Sequence, residues 1–266
     1  MKLSASLVKT YKLCRRKYEL KYLEELEPIA KPQALEDGSN YHDMLKDLYL
    51  GKGAEYDEGL NPKIFAMAYA YSKYIYPQIP NVQYAEKWFD YKLTAKHSIV
   101  GRFDAVTEDG IIVEHKTTSG DVDDEYVYSL QWDEQILTYM LVTGTTEMYY
   151  TVIKKPTIRQ KQNETDEEFY IRCVNWYAED TEKKIGMIKV TRSKEEIKEH
   201  RKNLIVMANE IDKCKQFYRN PMACTCYNRR CEYASVCLNY NPDLQYVEFE
   251  KKQRHADSVQ EKENLF

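Results

Sequence analysis

Apolar residues recur at helical spacing in the first third of the chain and alternate with polar ones in the middle. From Ser4 and Ser6, either able to cap a helix, Leu7, Tyr11, Leu13, Tyr18 and Leu20 predict a helix to about Tyr22. A second helix is expected after Gly38-Ser39, carrying Tyr41, His42, Leu45, Leu48 and Tyr49. Asn61-Pro62 predicts the start of a third, because proline suits the first helical turn, and that helix ends before Pro77. From 83 to 117 the period becomes two, which predicts strands and a hairpin closing at Glu108-Asp109-Gly110. Helical spacing returns at 126–142, and a strand follows at 145–153. After a basic connector at 154–162 come helices at 165–180 and 193–218, the second with the capping-box pattern Ser193…Glu196.

The hairpin carries the first candidate chemistry. Side chains alternate faces along a strand, so Glu114 and Lys116 share one face and His115 takes the other. A two-residue Asp109-Gly110 loop would pair Asp104 with His115. A three-residue loop, with Gly110 left-handed, pairs Asp104 with Glu114, and this register is predicted. It sets two carboxylates beside a lysine, an arrangement that repels unless a divalent cation holds it. Such a cation lowers the pKa of bound water and neutralises phosphoryl charge, while lysine stabilises the transition state. The short pattern also occurs on solvated hairpins. Here Ile111-Ile112-Val113 marks a buried strand, and charges at its end need a reason.

Three further sets accompany it. Gln135 and Tyr139 share a helix face, with Gln131 extending the row; they either hold Lys116 and a phosphate or form an ordinary amphipathic face. His42 is either an extra metal ligand or a structural histidine. Cys14 with Cys224, Cys231 and Cys237 fits an iron–sulfur cluster or zinc. The lack of a paired C-x2-C favours iron–sulfur over Zn²⁺. Cys226 competes with Cys224 for a place in the set, while Cys173 and Cys214 read as ordinary helix residues.

Composition narrows the class. At 266 residues one elaborated domain is expected, and 31% charged residues indicate a very polar surface. A net charge of −4 argues against a general polyanion binder but permits a local basic groove. The 24 tyrosines are core or helix-surface residues, some of them able to stack on bases. Seven cysteines without a signal-peptide pattern point to reduced thiols or metal ligands, and no apolar run has membrane-spanning length. A cytoplasmic protein is expected.

Taken in order, these sets resemble the RecB-like branch of the PD-(D/E)xK nucleases that carries an iron–sulfur cluster, which includes AddB-type nuclease domains, CRISPR-adaptation nucleases and phage exonucleases. Ser4-Ala-Ser6…Cys14-Arg-Arg-Lys-Tyr18 resembles the family's opening helix. Gly38…His42 matches G-x3-H, Gly101…Asp104 matches G-x2-D, Glu114-His115-Lys116 matches E-x-K, and Gln135…Tyr139 matches Q-x3-Y. The phrase Asn220-Pro…Cys224…Tyr227-Asn-Arg…Cys231-Glu-Tyr…Cys237 resembles the cluster segment of phage members, favouring Cys224 over Cys226.

The resemblance implies an α/β, restriction-endonuclease-like core: a mixed central sheet flanked by helices, plus a helical iron–sulfur lobe built from both chain ends. Within one nuclease domain over 1–250, a helical part would span 1–80, the catalytic core 81–190 and the cluster segment 191–240, with a charged tail at 251–266. It implies Mg²⁺ or Mn²⁺ bound by His42, Asp104, Glu114 and the His115 carbonyl, with Lys116 catalytic and Gln135 and Tyr139 on substrate. A [4Fe-4S] cluster would sit on Cys14, Cys224, Cys231 and Cys237, and Glu86 would line the groove. The implied function is a DNA exonuclease in phage or recombination-type processing, acting with other recombination or replication proteins and free to oligomerise. The alternative is a non-catalytic or redox-responsive iron–sulfur DNA-binding protein on the same fold.

Overall fold

The computed structural model describes residues 1–30, 32–52, 60–226, 229–239 and 247–252, apart from the side chains of Ala34, Cys226, Arg229 and Asn239. In chain order the elements are β1 (Lys2–Leu3), α1 (Ala5–Leu13), α2 (Arg15–Tyr18), β2 (Leu26–Pro28), α3 (Gln33–Tyr49), α4 (Pro62–Tyr74), β3 (Val82–Lys92), β4 (Ser98–Thr107), β5 (Ile112–Thr118), α5 (Asp124–Ser129) and α6 (Glu134–Thr143). There follow β6 (Glu147–Lys154), α7 (Asp166–Ala178), α8 (Thr181–Lys184), β7 (Ile185–Thr191), α9 (Lys194–Lys213), β8 (Thr225–Cys226), β9 (Arg229–Arg230), α10 (Ala234–Asn239) and β10 (Phe249–Lys251). The chain forms two compact units: Met1–Pro32 with Trp88–Gly101 and Glu199–Phe266, and Gln33–Lys87 with Arg102–Lys198. Each is interrupted in sequence by the other.

The second unit is built on a mixed sheet. β4 and β5 are antiparallel, β5 and β6 parallel, and β6 and β7 antiparallel, with β3 also pairing to β4. The β4–β5 register, Ala105↔Val113 and Val106↔Ile112, leaves the loop Glu108-Asp109-Gly110. Gly110 stands at φ 77°, the left-handed position that a three-residue turn requires. This is the register the sequence predicts. Parallel β5 and β6 need a crossover, which α5 and α6 supply. Both α4 and α6 pack on β6. Tyr41 and Leu45 of α3, Ile64, Met67 and Tyr71 of α4, and Phe169, Cys173 and Tyr177 of α7 bury one cluster with Ile153 of β6. Each large side chain there is worth about 1.5–3 kcal/mol in burial.

Capping explains several boundaries. The Asn61 side chain accepts from the Lys63 amide at 3.0 Å, with Pro62 in the first turn of α4. Ser193 and Glu196 close the capping box of α9: the Glu196 amide donates to Ser193 Oγ at 3.1 Å, and the Ser193 amide to Glu196 Oε2 at 2.8 Å.

Other expectations need correction. The helix expected over 4–22 breaks at Cys14, which is extended at φ −161° and ψ 117°. Asn220 compensates the break: its amide donates to Cys14 Sγ at 3.4 Å and its side chain to the Leu13 carbonyl at 2.8 Å. α3 starts at Gln33, so Gly38-Ser39 lies inside the helix and is no turn. The helical stretch at 126–142 is divided by Asp133, which caps α6 through the Gln135 amide at 2.9 Å. Gln131 therefore lies outside α6, exposed and off the Gln135–Tyr139 face. β7 was not expected; it exists through a full ladder to β6, from Glu147↔Thr191 to Ile153↔Ile185. α9 stops at Lys213, short of 218.

In the first unit the two ends of the chain meet. β10 pairs antiparallel with β2, and β1 runs parallel to the start of β4. Leu20, Leu26, Tyr233 and Phe249 form a small core, with the Tyr233 hydroxyl donating to the Leu26 carbonyl at 2.8 Å. Strand pairing thus reaches Lys251, inside the segment expected to be tail. The remainder of that segment, 253–266, lies outside the described residues.

Candidate active site

The second unit brings His42, Glu86, Asp104, Glu114, Lys116, Gln135 and Tyr139 together. His42 comes from α3, Glu86 from β3, Asp104 from β4, Glu114 and Lys116 from β5, and the last two from α6. Among the described residues, one ligand atom each from His42, Glu86 and Asp104 lie within 4.8 Å of one another. His42 Nδ1 is 3.3 Å from Asp104 Oδ1, and Asp104 Oδ2 accepts the His115 amide at 2.8 Å. Asp104 thus takes over the backbone donor just beyond the last β4–β5 pair, Ala105↔Val113.

A chain of hydrogen bonds fixes the lysine. Lys116 Nζ donates to Glu114 Oε1 and, at 3.0 Å, to Gln135 Oε1. Gln135 Nε2 donates to the Tyr139 hydroxyl at 2.7 Å, which in turn donates to the Arg102 carbonyl at 2.9 Å. The four-residue spacing of Gln135 and Tyr139 is what aligns these groups along one helix face. Glu114 is 2% exposed, and its second oxygen, Oε2, is buried without a hydrogen-bond partner.

On the opposite face of β5, His115 is also 2% exposed. Its ring stacks on Tyr49 at 5.7 Å and meets Tyr71 edge-on at 5.2 Å. Thr151 Oγ1 donates to the Glu114 carbonyl at 3.1 Å, so the proton between it and His115 Nδ1, 2.8 Å away, belongs to Nδ1. His115 is therefore a neutral core residue with a bare Nε2. Burial, helped by the charges of His42 and Lys116, pushes its pKa down to about 3.

The pocket has an excess of negative potential. Burial and then the charge of Asp104 raise the Glu114 carboxyl, against the pull of Lys116. Burial alone would lower Lys116 and His42. The carboxylates outweigh it in both: Glu114 and Asp104 raise Lys116, and Asp104, by hydrogen bond and charge, raises His42. Asp104 is held low, because His42 overcomes the opposing effect of burial. Glu86 is raised by burial ahead of the opposing effect of Arg102. Raised cations beside raised carboxyls are what a site short of positive charge shows. A divalent cation matches this donor set of imidazole and carboxylate oxygens.

Two features were not legible in the sequence. Glu86, expected only to line the groove, is a member of the three-residue ligand group. Its backbone is left-handed at φ 56° in the middle of β3, which re-aims the side chain as a bulge does. Arg102, an unspecified position of the G-x2-D motif, forms an ion pair with Glu86, Nε to Oε2 at 2.5 Å, in an alignment that leaves Oε2, like Glu114 Oε2, without a hydrogen-bond partner. No local pattern encodes either.

In the first unit, Cys14, Cys224, Cys231 and Cys237 line a single cavity together with Lys17, Leu20 and Arg219. All four are free thiols. Burial raises Cys231 and Cys237 against nearby lysine and arginine charges, with smaller contributions from Glu232 and Cys14 on Cys231 and from Cys14 and Cys224 on Cys237. The Cys226 side chain, the alternative to Cys224, lies outside the described residues, as do Tyr227 and Asn228. Cys173 is buried in α7, and Cys214 directly follows α9.

Residues 2–238 match the model of the PD-(D/E)XK nuclease superfamily, and the chain belongs to that superfamily. Among solved structures it is similar to SSO0001, at 15% identity over 89% of this chain and 86% of that one, with a TM-score of 0.42. It is also similar to a phage related exonuclease from Haemophilus somnus 129PT, at 12% identity over 79% and 92% of the two chains, TM-score 0.39. A third is the alkaline exonuclease LHK-Exo from Laribacter hongkongensis, at 14% identity over 79% and 90%, TM-score 0.35. No curated protein matches the chain significantly. Among the described residues no helix is long and apolar enough to cross a membrane.

Proposed function

We propose that this chain is a divalent-metal-dependent deoxyribonuclease acting as an exonuclease on DNA ends, of the RecB-like, iron–sulfur-bearing type found in phage and recombination systems. The observation that carries the reading is the convergence of His42, Glu86 and Asp104 beside the Lys116–Glu114 pair, with Glu114 Oε2 left bare. His42, Glu86, Asp104 and Glu114 would hold Mg²⁺ or Mn²⁺. The His115 carbonyl is a further candidate ligand, because the amide and carbonyl of one strand residue project to the same side and the amide reaches Asp104. The cation supplies charge neutralisation and a lowered water pKa at neutral pH.

The chain's own groups do the rest. Lys116 is ammonium, held by Glu114 and Gln135, which leaves one N–H donor for the attacking water or a phosphate oxygen. Tyr139 locks Gln135, so that Lys116 keeps one position. Mn²⁺ incubation with end-labelled linear and circular duplexes tests this. Wild type is expected to degrade linear DNA and leave circles intact, and Glu114→Ala to lose at least about 100-fold in rate. Equal degradation by both proteins contradicts the assignment, and cleavage of circles contradicts end dependence.

The cysteine cavity supports a [4Fe-4S] cluster as a structural staple. Its four thiols come from distant parts of the chain, and burial with the proximity of the others raises the pKa of Cys231 and Cys237, a cost that iron ligation removes. The cluster would act on stability, with the reaction carried out in the second unit.

A further inference from the structure

Resting on the nuclease reading, we propose that Arg102 and the divalent cation compete for Glu86, so that cation binding frees the Arg102 guanidinium to hold a phosphate of the DNA. Glu86 has two claims on it. Its Oε2 is ion-paired to Arg102 Nε at 2.5 Å, and the same carboxylate is one of the three groups gathered within 4.8 Å around His42 and Asp104. A dication among those ligand atoms takes the carboxylate's field and repels a guanidinium only a few ångströms away.

The exchange is one of side chains, with the main chain fixed. The Arg102 main chain is anchored, since its carbonyl accepts the Tyr139 hydroxyl at the end of the Lys116–Gln135–Tyr139 chain. Its side chain is 47% exposed, whereas that of Glu86 is 9% exposed, so the arginine is the partner able to swing out. The left-handed backbone at Glu86 keeps the carboxylate aimed into the site whichever cation occupies it. A guanidinium released there carries the planar fork that grips phosphate in two places. Before the cation arrives, the guanidinium is drawn to Glu86 through its Nε. DNA contact at this arginine is thereby made conditional on a loaded metal site.

The test uses the full chain, with Mn²⁺ titrated by calorimetry. DNA binding is read by anisotropy on a phosphorothioate-protected duplex across a salt series. Arg102→Gln is expected to tighten Mn²⁺ binding roughly two- to fivefold, the worth of a partly exposed ion pair. With cation present, the same variant should weaken DNA binding and lower the log–log salt slope by about one. Without cation it should bind DNA as wild type does. Arg102→Lys, which keeps a charge, should restore the slope and guard against a folding artefact. Unchanged Mn²⁺ affinity or an unchanged slope in Arg102→Gln overturns the exchange. If Asp104→Asn loses Mn²⁺ in that same experiment, the metal-site reading survives alone. If Asp104→Asn binds Mn²⁺ as wild type does, both fall.

Discussion

Glu86 holds a backbone conformation that non-glycine residues avoid, at a strain of about 1–3 kcal/mol. The site makes use of that strain, because it turns a strand residue towards His42 and Asp104. Asparagine tolerates the left-handed region and carries no charge into the negative pocket. Glu86→Asn is therefore expected to raise the urea midpoint of the metal-free protein and to weaken Mn²⁺ binding at least tenfold. A lowered midpoint contradicts the strain account. His115 makes a pH-dependent contribution of the opposite kind to the usual histidine gain. Its folded pKa lies near 3, below the unfolded value, so its stabilising term is complete above about 6.5. The term is lost as pH falls from there towards 3, and about 2 kcal/mol is gone by pH 5. Glu114, whose pKa is raised, contributes with the opposite sign, so the informative quantity is the difference between wild type and His115→Gln. That difference in urea-unfolding free energy is expected to shrink between pH 7.5 and pH 5; a constant difference contradicts the neutral, buried imidazole.

At the scale of elements, the hairpin shows what local sequence specifies. Gly110 chose the three-residue loop, and that loop brought Asp104 to the end of the ladder beside Glu114 and Lys116. Gly101 of the same motif has a packing role: a Cβ there would stand 2.5 Å from Phe89 Cζ and 2.9 Å from Cε1. Gly101→Ala is expected to cost about 1–3 kcal/mol by overpacking, read as a lower urea midpoint at unchanged slope. The elements that sequence missed were set by distant partners. The break at Cys14 depends on Asn220, more than two hundred residues away, and β7 depends on its ladder to β6. The Gln135–Tyr139 face was legible from its four-residue spacing; Gln131 was misplaced because Asp133 restarts the helix. Glu86 was legible as a polar strand position, but its re-aimed backbone was not.

At the scale of the molecule, each compact unit holds one constellation: carboxylates, histidine and lysine in the second, the cysteine cavity in the first. The first unit joins the two ends of the chain through β10 with β2 and through Tyr233 on Leu26. A cluster there would close a very long loop, which is where a covalent clip contributes most to stability. Protein purified without oxygen is therefore expected to contain about four iron atoms per chain. Cys14→Ser and Cys237→Ser should both lower the iron content and the melting temperature. Wild-type iron in either variant contradicts the assignment of that ligand.

The central claim is that His42, Glu86 and Asp104 bind the reactive cation. Crystals soaked in Mn²⁺ and measured near the manganese edge test it most directly. The account predicts an anomalous peak enclosed by these three side chains, next to Glu114 Oε2, and its loss in Asp104→Asn. A wild-type map with no peak there, at Mn²⁺ concentrations that support DNA cleavage in solution, contradicts it.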